Sequence, residues 1–339
     1  MNILLSSVGR RPYLVRWFCE ALTANGIDGK VIAADLDPRS PSRAFADDFV
    51  EAPRVTDPGY RQWLQSFLAD HEVRLAVSIN DFELSTWAQL PTTPEWDPLV
   101  RLTAESQRLV EDKYAMSLAF AEQGMNVPQT WLGGSTGRAV DETREGCGFV
   151  VKGRFGSASR GLRFTDVAGL NAAVAEATRE VTDQQGRPAH EQRAIDPREL
   201  VIVQDRIVGP EYGLDVVCDL DNTYAGVLAR RKIDMRSGET DRAESVAADD
   251  FVDVARRLAD VVPHAGTIDV DVMVDADGTP YVIDVNPRFG GGYPFSHLAG
   301  ARVPHAYVAW AAGLPAPDEW LRTDAGVVSG KYVETVRII

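Results

Sequence analysis

The chain has 339 residues, 45% of them hydrophobic, and a formal net charge of −15. The length allows two or three packed domains, and the acidity argues against a nucleic-acid backbone or an anionic membrane as the main partner. No run approaches the roughly 18 apolar residues of a membrane span.

The chain opens M-N-I-L-L-S-S-V-G-R-R, with apolar residues before cations, the reverse of a secretory signal. Its three cysteines, Cys19, Cys147 and Cys218, are too scattered for a disulfide framework or a zinc site. A cytoplasmic protein is expected. Only five of the 35 basic residues are lysines: Lys30, Lys113, Lys152, Lys232 and Lys331. An ammonium is a compact point charge suited to phosphate, which makes each of them a candidate.

In chain order, residues 1–8 read as an apolar strand and 12–25 as an amphipathic helix. Strands over 30–36 and 74–79 and helices over 58–70 and 83–90 follow. Repeated βα units predict a doubly wound parallel sheet. The first turn, S-S-V-G-R-R, lacks G-x-G-x-x-G, so no dinucleotide site is expected. A proline-rich connector at 91–98 precedes one helix over 106–123 with Lys113 inside it. Short strands are expected over 128–132, 149–152 and 162–166, a helix over 167–180 and a polar loop over 182–197. Beyond residue 199 the signals change. Strands over 200–208, 213–219, 225–232, 267–274 and 281–286, with a helix over 249–262, suggest an antiparallel sheet. The expected divisions are 1–105, 106–198 and 199–339.

Four stretches carry chemistry. The first is a hairpin: strands 267–274 and 281–286 flank Asp275-Ala-Asp-Gly278, a strong turn signal. A turn centred near Asp277 and Gly278 sets Asp271 roughly opposite Asp284. Period two puts Asp269 and Asp271 on one face, with Asp284 and Asn286 together, while Ile283 and Val285 turn inward. Such oxygen donors repel one another unless a hard cation joins them, and Mg²⁺ takes one or two carboxylates plus substrate phosphates. A solvated polar face is the competing reading. The second stretch runs from a strand through Lys152 into small residues, Gly153 to Gly161, whose bare backbone can approach phosphate; a flexible hairpin turn competes. The third, V-Q-D-R-I-V-G-P-E-Y-G, is by itself an ordinary strand connection. The fourth sets Arg230 and Lys232 on one strand face, where they could neutralise phosphate or merely line a solvated edge.

Together, the order Lys113, Lys152 with its loop, Gln204 and Glu211, then Asp271, Asp284, Asn286 and Arg288 resembles the ATP-grasp superfamily. The specific parts are the thirteen-residue step from Asp271 to Asp284, the D-x-N-P-R ending and the seven-residue step from Gln204 to Glu211. The resemblance covers about residues 105–300. It is nearest to carboxylate–amine ligases related to the carbamoyl-phosphate synthetase large subunit, and residues 1–105 look like a pre-ATP-grasp domain. It implies an α/β and α+β protein, with a parallel N-terminal sheet followed by a two-lobed fold holding ATP between two antiparallel sheets.

Residue by residue, the resemblance implies ATP contacts from Lys113, Lys152, Gly153, Ser157, Ala158 and Ser159. It gives Gln204, Asp205, Arg206 and Ile207 to adenine and Glu211 to ribose. Asp271, Asp284 and Asn286 would hold one or two Mg²⁺, with Mn²⁺ as the alternative ion. Arg288, Lys232 and Arg230 would stabilise the transferring phosphoryl group. Gly290, Gly291, Gly292 and Tyr293 would face the substrate carboxylate. Asp81, Glu83 and Arg10, with Arg11, are further substrate candidates at the ends of the N-terminal strands, where helix capping competes.

Gln204 and Asp284 stand where glutamates are usual in the family, and Asp269 where some relatives carry a cation. The activity implied is ATP-dependent conversion of a carboxylate, an amino acid or similar metabolite, to an acyl phosphate that an amine captures, releasing ADP and phosphate. Phosphorylation of bicarbonate or carbamate, and a non-catalytic ATP-binding module, are the rivals. The partners implied are small molecules, without nucleic acid or membrane, and the assembly considered is a homodimer.

Overall fold

A computed structural model describes residues 1–144, 146–156, 161–182, 196–236 and 238–338. The expected polar loop over 182–197 falls almost wholly outside them.

The N-terminal part alternates β1 (Asn2–Ser6), α1 (Pro12–Ala24), β2 (Val31–Asp35), β3 (Asp48–Glu51), α2 (Tyr60–Asp70), β4 (Val73–Ser78) and α3 (Asp81–Ala88). The four strands are all parallel, in the order β3-β2-β1-β4. Period two sends Ile3 and Leu5 to one face and Leu4 to the other. α1, with Pro12 preset at its first position, buries Leu14, Val15, Phe18, Ala21 and Leu22 on the first face. α2 and α3 cover the second.

The sequence pattern predicts one helix where the structure has two, α4 (Ala104–Glu111) and α5 (Lys113–Glu122). Asp112 breaks them, with φ −101° and ψ 95°, and its carboxylate caps α5 through the Tyr114 and Ala115 amides. Such a cap satisfies amides that a helix start leaves bare. The break puts Lys113 at the head of α5.

β5 (Thr130–Leu132), α6 (Thr136–Glu142), β6 (Phe149–Gly153), β7 (Arg163–Thr165), α7 (Leu170–Thr182) and β8 (Val201–Asp205) form the next unit. Its strands are antiparallel in the order β5-β8-β6-β7 and pack on α6 and α7. β9 (Glu211–Cys218), β10 (Tyr224–Arg236), β11 (Glu239–Val246), α8 (Val252–Val261), β12 (Gly266–Val274), β13 (Pro280–Asn286), α9 (Tyr293–Leu298), α10 (Val303–Ala311) and β14 (Val328–Gly330) complete the fold. The second antiparallel sheet runs β13-β12-β9-β10-β11-β14.

One face of this sheet buries Leu214, Val216, Ile268, Val270 and Val272 with residues of α4, α5 and α8. α10 returns to pack on α1, so one apolar cluster joins the first sheet to Phe289 and Tyr293 beside the site. Among the described residues no helix is long and apolar enough to cross a membrane.

Candidate active site

The site is built on the hairpin of β12 and β13. Asp275 Oδ1 accepts from the Asp277 and Thr279 amides at 3.0 and 2.9 Å, and Gly278 takes φ +81°, which favours glycine. The register then sets Asp271 opposite Asp284 and Asp269 opposite Asn286, as the turn predicts. One detail differs. A bulge leaves Ile283 without a partner, so Val282 and Val285 are the buried residues rather than Ile283 and Val285. The Ile283 carbonyl accepts from Lys152 Nζ at 2.8 Å.

Cations and acids interleave across the neighbouring strands. Lys232 Nζ donates to Glu211 Oε1 and to Asp271 Oδ1, each at 2.6 Å. Lys113 Nζ donates to the Gly156 carbonyl at 2.9 Å and forms an ion pair with Asp284 Oδ1 at 2.8 Å. Arg154 fixes the base of this lysine by gripping Asp112 with two bonds of 2.7 and 2.6 Å. Burial would raise the Asp284 carboxyl, but Lys113 and Lys152 outweigh it and hold it below its usual range. Burial pushes the Lys152 ammonium down to about 8 against the pull of Asp284. Burial likewise opposes the charge on Lys232, but Asp271 and Glu211 prevail and raise its pKa.

Arg288 follows Pro287, which ends β13, and closes a fork on Asp81 at 2.5 and 3.2 Å. Asp81 begins α3, whose cap is Asn80. An acid of the N-terminal unit thus holds the arginine of the hairpin.

Arg230, expected in the cleft, is instead 1% exposed. It donates to Asp215 Oδ2 at 2.6 Å and to Asp269 Oδ1 at 2.5 Å, and Ser296 adds a 2.6 Å bond to Asp215. Burial opposes its charge, yet Asp215 and Asp269 keep its pKa raised. Three glycines make room. A Cβ on Gly213 would stand 2.9 Å from Arg230 Nε, one on Gly292 2.2 Å from it, and one on Gly290 2.1 Å from Asp269 Cγ. Gly290 and Gly292 are therefore packing positions. Tyr293, expected to face substrate, is 1% exposed, and its hydroxyl accepts from the Val303 amide at 3.0 Å.

Glu83 also lies inside. It is 3% exposed and accepts from the hydroxyls of Ser6, Ser7, Tyr60 and Ser78 at 2.5 to 2.9 Å, tying β1 and β4 to α3. Arg10 is exposed and Arg11 half-buried. On the other sheet, Gln204 Nε2 donates to Thr130 Oγ1 at 3.0 Å. Asp205 accepts from Thr143 Oγ1 at 2.6 Å and is 3% exposed, so its side chain serves the sheet. The Arg206 amide is engaged with the Gly148 carbonyl at 2.9 Å. Gly153 closes β6, while Ser157, Ala158 and Ser159 lie outside the described residues.

Among the described residues no three His, Cys, Asp or Glu side chains are arranged to hold a metal by themselves. What the donors fit is a magnesium nucleotide, since Mg²⁺ needs only one or two carboxylates when phosphates complete its shell. Asp284 Oδ1, buried beside the Lys113 ammonium, offers a donor atom of the kind such an ion takes.

The family model described as ATP-grasp domain matches residues 110–292, more than half of the chain, and PylC-like, N-terminal domain matches residues 3–94. The chain belongs to the ATP-grasp family. It is an ATP-binding enzyme of that ligase family.

Three solved structures share the ATP-grasp chain's fold. The biotin carboxylase domain dimer of Hydrogenobacter thermophilus 2-oxoglutarate carboxylase, in complex with MgADP, ADP and bicarbonate, is 15% identical, with a TM-score of 0.70, over 95% of this chain and 72% of that one. N5-carboxyaminoimidazole synthetase from Staphylococcus aureus is 14% identical, with a TM-score of 0.66, over 94% and 78%. L-amino acid ligase from Bacillus licheniformis is 14% identical, with a TM-score of 0.63, over 95% and 77%. No curated protein matches the sequence.

Two acids that position the ATP-grasp cations were missed in the sequence: Asp112, which reads as a helix-interior residue, and Asp215, whose ion pair with Arg230 needs the β9–β10 register. Glu211 was expected at ribose, and its hold on Lys232 was not. Glu239 was missed because it opens a strand too polar to read, and Lys331, a candidate as one of five lysines, follows a strand too short to read.

Proposed function

We propose that this ATP-grasp enzyme activates a carboxylic acid as an acyl phosphate and couples it to an amine, releasing ADP and phosphate. One observation carries the reading: Asp271 and Asp284 stand opposite each other on one antiparallel sheet, with Lys232 and Lys113 on them and Lys152 of the other antiparallel sheet reaching the same hairpin. In this reading residues 1–105 bear substrate, 106–198 cover the nucleotide and 199–339 carry the phosphate site.

Asp271, Asp284 and Asn286 would hold one or two Mg²⁺, which neutralise the charge developing on the phosphates. Lys113, Lys152 and Lys232 would meet the phosphates and Glu211 the ribose. The Gln204 oxygen takes the adenine amine, with the Ile207 amide beside it. Phosphoryl transfer asks for alignment and charge neutralisation more than covalent chemistry, and buried cations held by short ion pairs provide both. Arg288, held by Asp81, stands where the carboxylate must meet the phosphoryl group.

Phosphorylation of bicarbonate is the second reading, supported by the fold shared with a carboxylase solved with that anion. An ADP-release assay with Mg²⁺ separates them. Pools of carboxylic acids and amines should stimulate turnover together, and bicarbonate alone should not. Bicarbonate-stimulated turnover favours the second reading, and ATP binding without stimulation by any pool sinks the first.

A further inference from the structure

Beside Arg288, separate chain segments bring side chains of both signs around the backbone of Gly291. Arg11 and Tyr13 come from the start of α1, Glu239 opens β11, and Lys331 follows β14. Glu239 Oε2 accepts from Lys331 Nζ at 2.9 Å. A Cβ on Gly291 would stand 3.4 Å from that carboxylate oxygen and 3.5 Å from that ammonium, so both heads lie over this peptide. Arg11 reaches the same loop and donates to the Phe289 carbonyl at 3.2 Å. Among the described residues its hydrogen bonds go to neutral groups, this carbonyl and the Tyr13 hydroxyl.

The groups form one electrostatic neighbourhood. Lys331 first, then Arg11 and Arg288, hold the Glu239 carboxyl below its usual range. Glu239 and Arg288 both act on Tyr13. Exposure is graded: the Glu239 side chain is 62% exposed and Lys331 28%, while Arg288 is 12%. The acid is therefore the most open member of the cluster and Arg288 the most enclosed.

We propose that this cluster takes the carboxylic acid substrate as a zwitterionic α-amino acid, carboxylate toward Arg11 and Arg288 and ammonium on Glu239. The inference rests on the carboxylate-activation reading above and names its substrate class. Both ends select. An acid without an amino group has nothing to offer Glu239 and leaves it with Lys331, so it gains only the arginine end, which also disfavours bicarbonate. An amine without a carboxylate meets two guanidinium groups. Lys331 holds the place of the ammonium in the free protein, and an exposed pair of this kind is weak enough to exchange.

Titration calorimetry tests this on the full chain loaded with Mg²⁺ and a non-hydrolysable ATP analogue. The probes are the twenty proteinogenic amino acids and, for the tightest binder, its 2-hydroxy acid. At least one amino acid should bind, and the 2-hydroxy acid should bind about tenfold more weakly, the scale of a lost charge-assisted hydrogen bond. Glu239→Gln should weaken the amino acid by about the same factor and erase that preference. Lys331→Met, which frees Glu239, should leave binding as tight or tighter, whereas a merely structural pair would make both variants err in the same direction.

Failure of all twenty to bind overturns the proposal. So does equal affinity for the 2-hydroxy acid, an unchanged Glu239→Gln variant, or equal weakening by both substitutions. ADP release run in parallel keeps the two readings apart. Glu239-dependent binding without any stimulated turnover supports the site and removes the ligase.

Discussion

Asp271 and Asp284 face each other across the hairpin, and each is held by a different lysine: Lys232 at 2.6 Å on Asp271, Lys113 at 2.8 Å on Asp284. The lysines come from opposite sides, one from the same sheet and one from the head of α5. Without nucleotide these ammonium groups neutralise the acids. In the proposed reading Asp271 and Asp284 would hold the metal of a magnesium nucleotide, leaving Lys232 and Lys113 for its phosphates. Binding then exchanges one set of charge pairs for another, and little bare charge is buried at any stage.

Asp284→Ala should therefore abolish stimulated ADP release, a loss of at least about a hundredfold in kcat, because a metal ligand and the partner of Lys113 go together. Asp284→Glu, the residue usual in the family, should keep substantial turnover. A Mg²⁺ titration of each variant reads the assignment directly. Full activity in Asp284→Ala at ordinary Mg²⁺ would remove Asp284 from the metal site.

Lys152 should make nucleotide binding pH-dependent. Burial lowers its pKa to about 8, against about 10.4 for a free lysine. The folded protein thus carries a cost that is full below pH about 8 and disappears as pH rises toward about 10.4. Free protein should gain stability over that window, and Lys152→Met should not. Nucleotide phosphates favour the charged form, so binding at a pH just above 8 should take up protons. Calorimetry in buffers of different ionisation enthalpy measures that uptake, and equal uptake by Lys152→Met would refute the assignment.

Arg230 is a support of the sheet. Arg230→Met leaves Asp215, fully buried, and Asp269 without their cation, and removing one partner of a buried pair costs about 3–5 kcal/mol. Thermal denaturation should show a large fall in Tm. Arg230→Met combined with Asp215→Leu should recover part of it, because one stranded charge is gone. A fall in kcat at unchanged Tm would return Arg230 to the catalytic group.

The contrast between Arg230 and Asp271 shows what could be read in advance. Asp271, Asp284 and Asn286 follow from one local turn and a period of two, so their shared face was legible. The face shared by Arg230 and Lys232 was legible too, but their fates diverge because β9 offers Arg230 a glycine and an aspartate, Gly213 and Asp215, and offers Lys232 a glutamate. That register follows from the short β9–β10 connection over 219–223 and was not worked out from the sequence, and the second acid on Arg230, Asp269, comes from β12, remote in the chain. The burial of Glu83 was hidden for the same reason, since its four hydroxyls come from β1, β4 and α2 and the turn after β1. β11 was missed because T-D-R-A-E-S is polar almost throughout, and β14 because it is only three residues long.

The fork between Asp81 and Arg288 joins the N-terminal unit to the phosphate site, and its loss should read as misplacement of a cation. A fork on one carboxylate fixes both the distance and the plane of a guanidinium, which a lysine cannot reproduce. Asp81→Asn keeps size and one acceptor but loses the charge and one arm of the fork. It should lower kcat by about tenfold to a hundredfold, the scale of a charged group shifted from its place, with the KM for ATP little changed. Arg288→Lys should lose more, because it removes the planar head proposed to span carboxylate and phosphoryl oxygens. Since Arg288 already lacks its partner in Asp81→Asn, the double variant should be no worse than Arg288→Lys alone. Strictly additive losses would show that Asp81 acts on the reaction by another route than through Arg288.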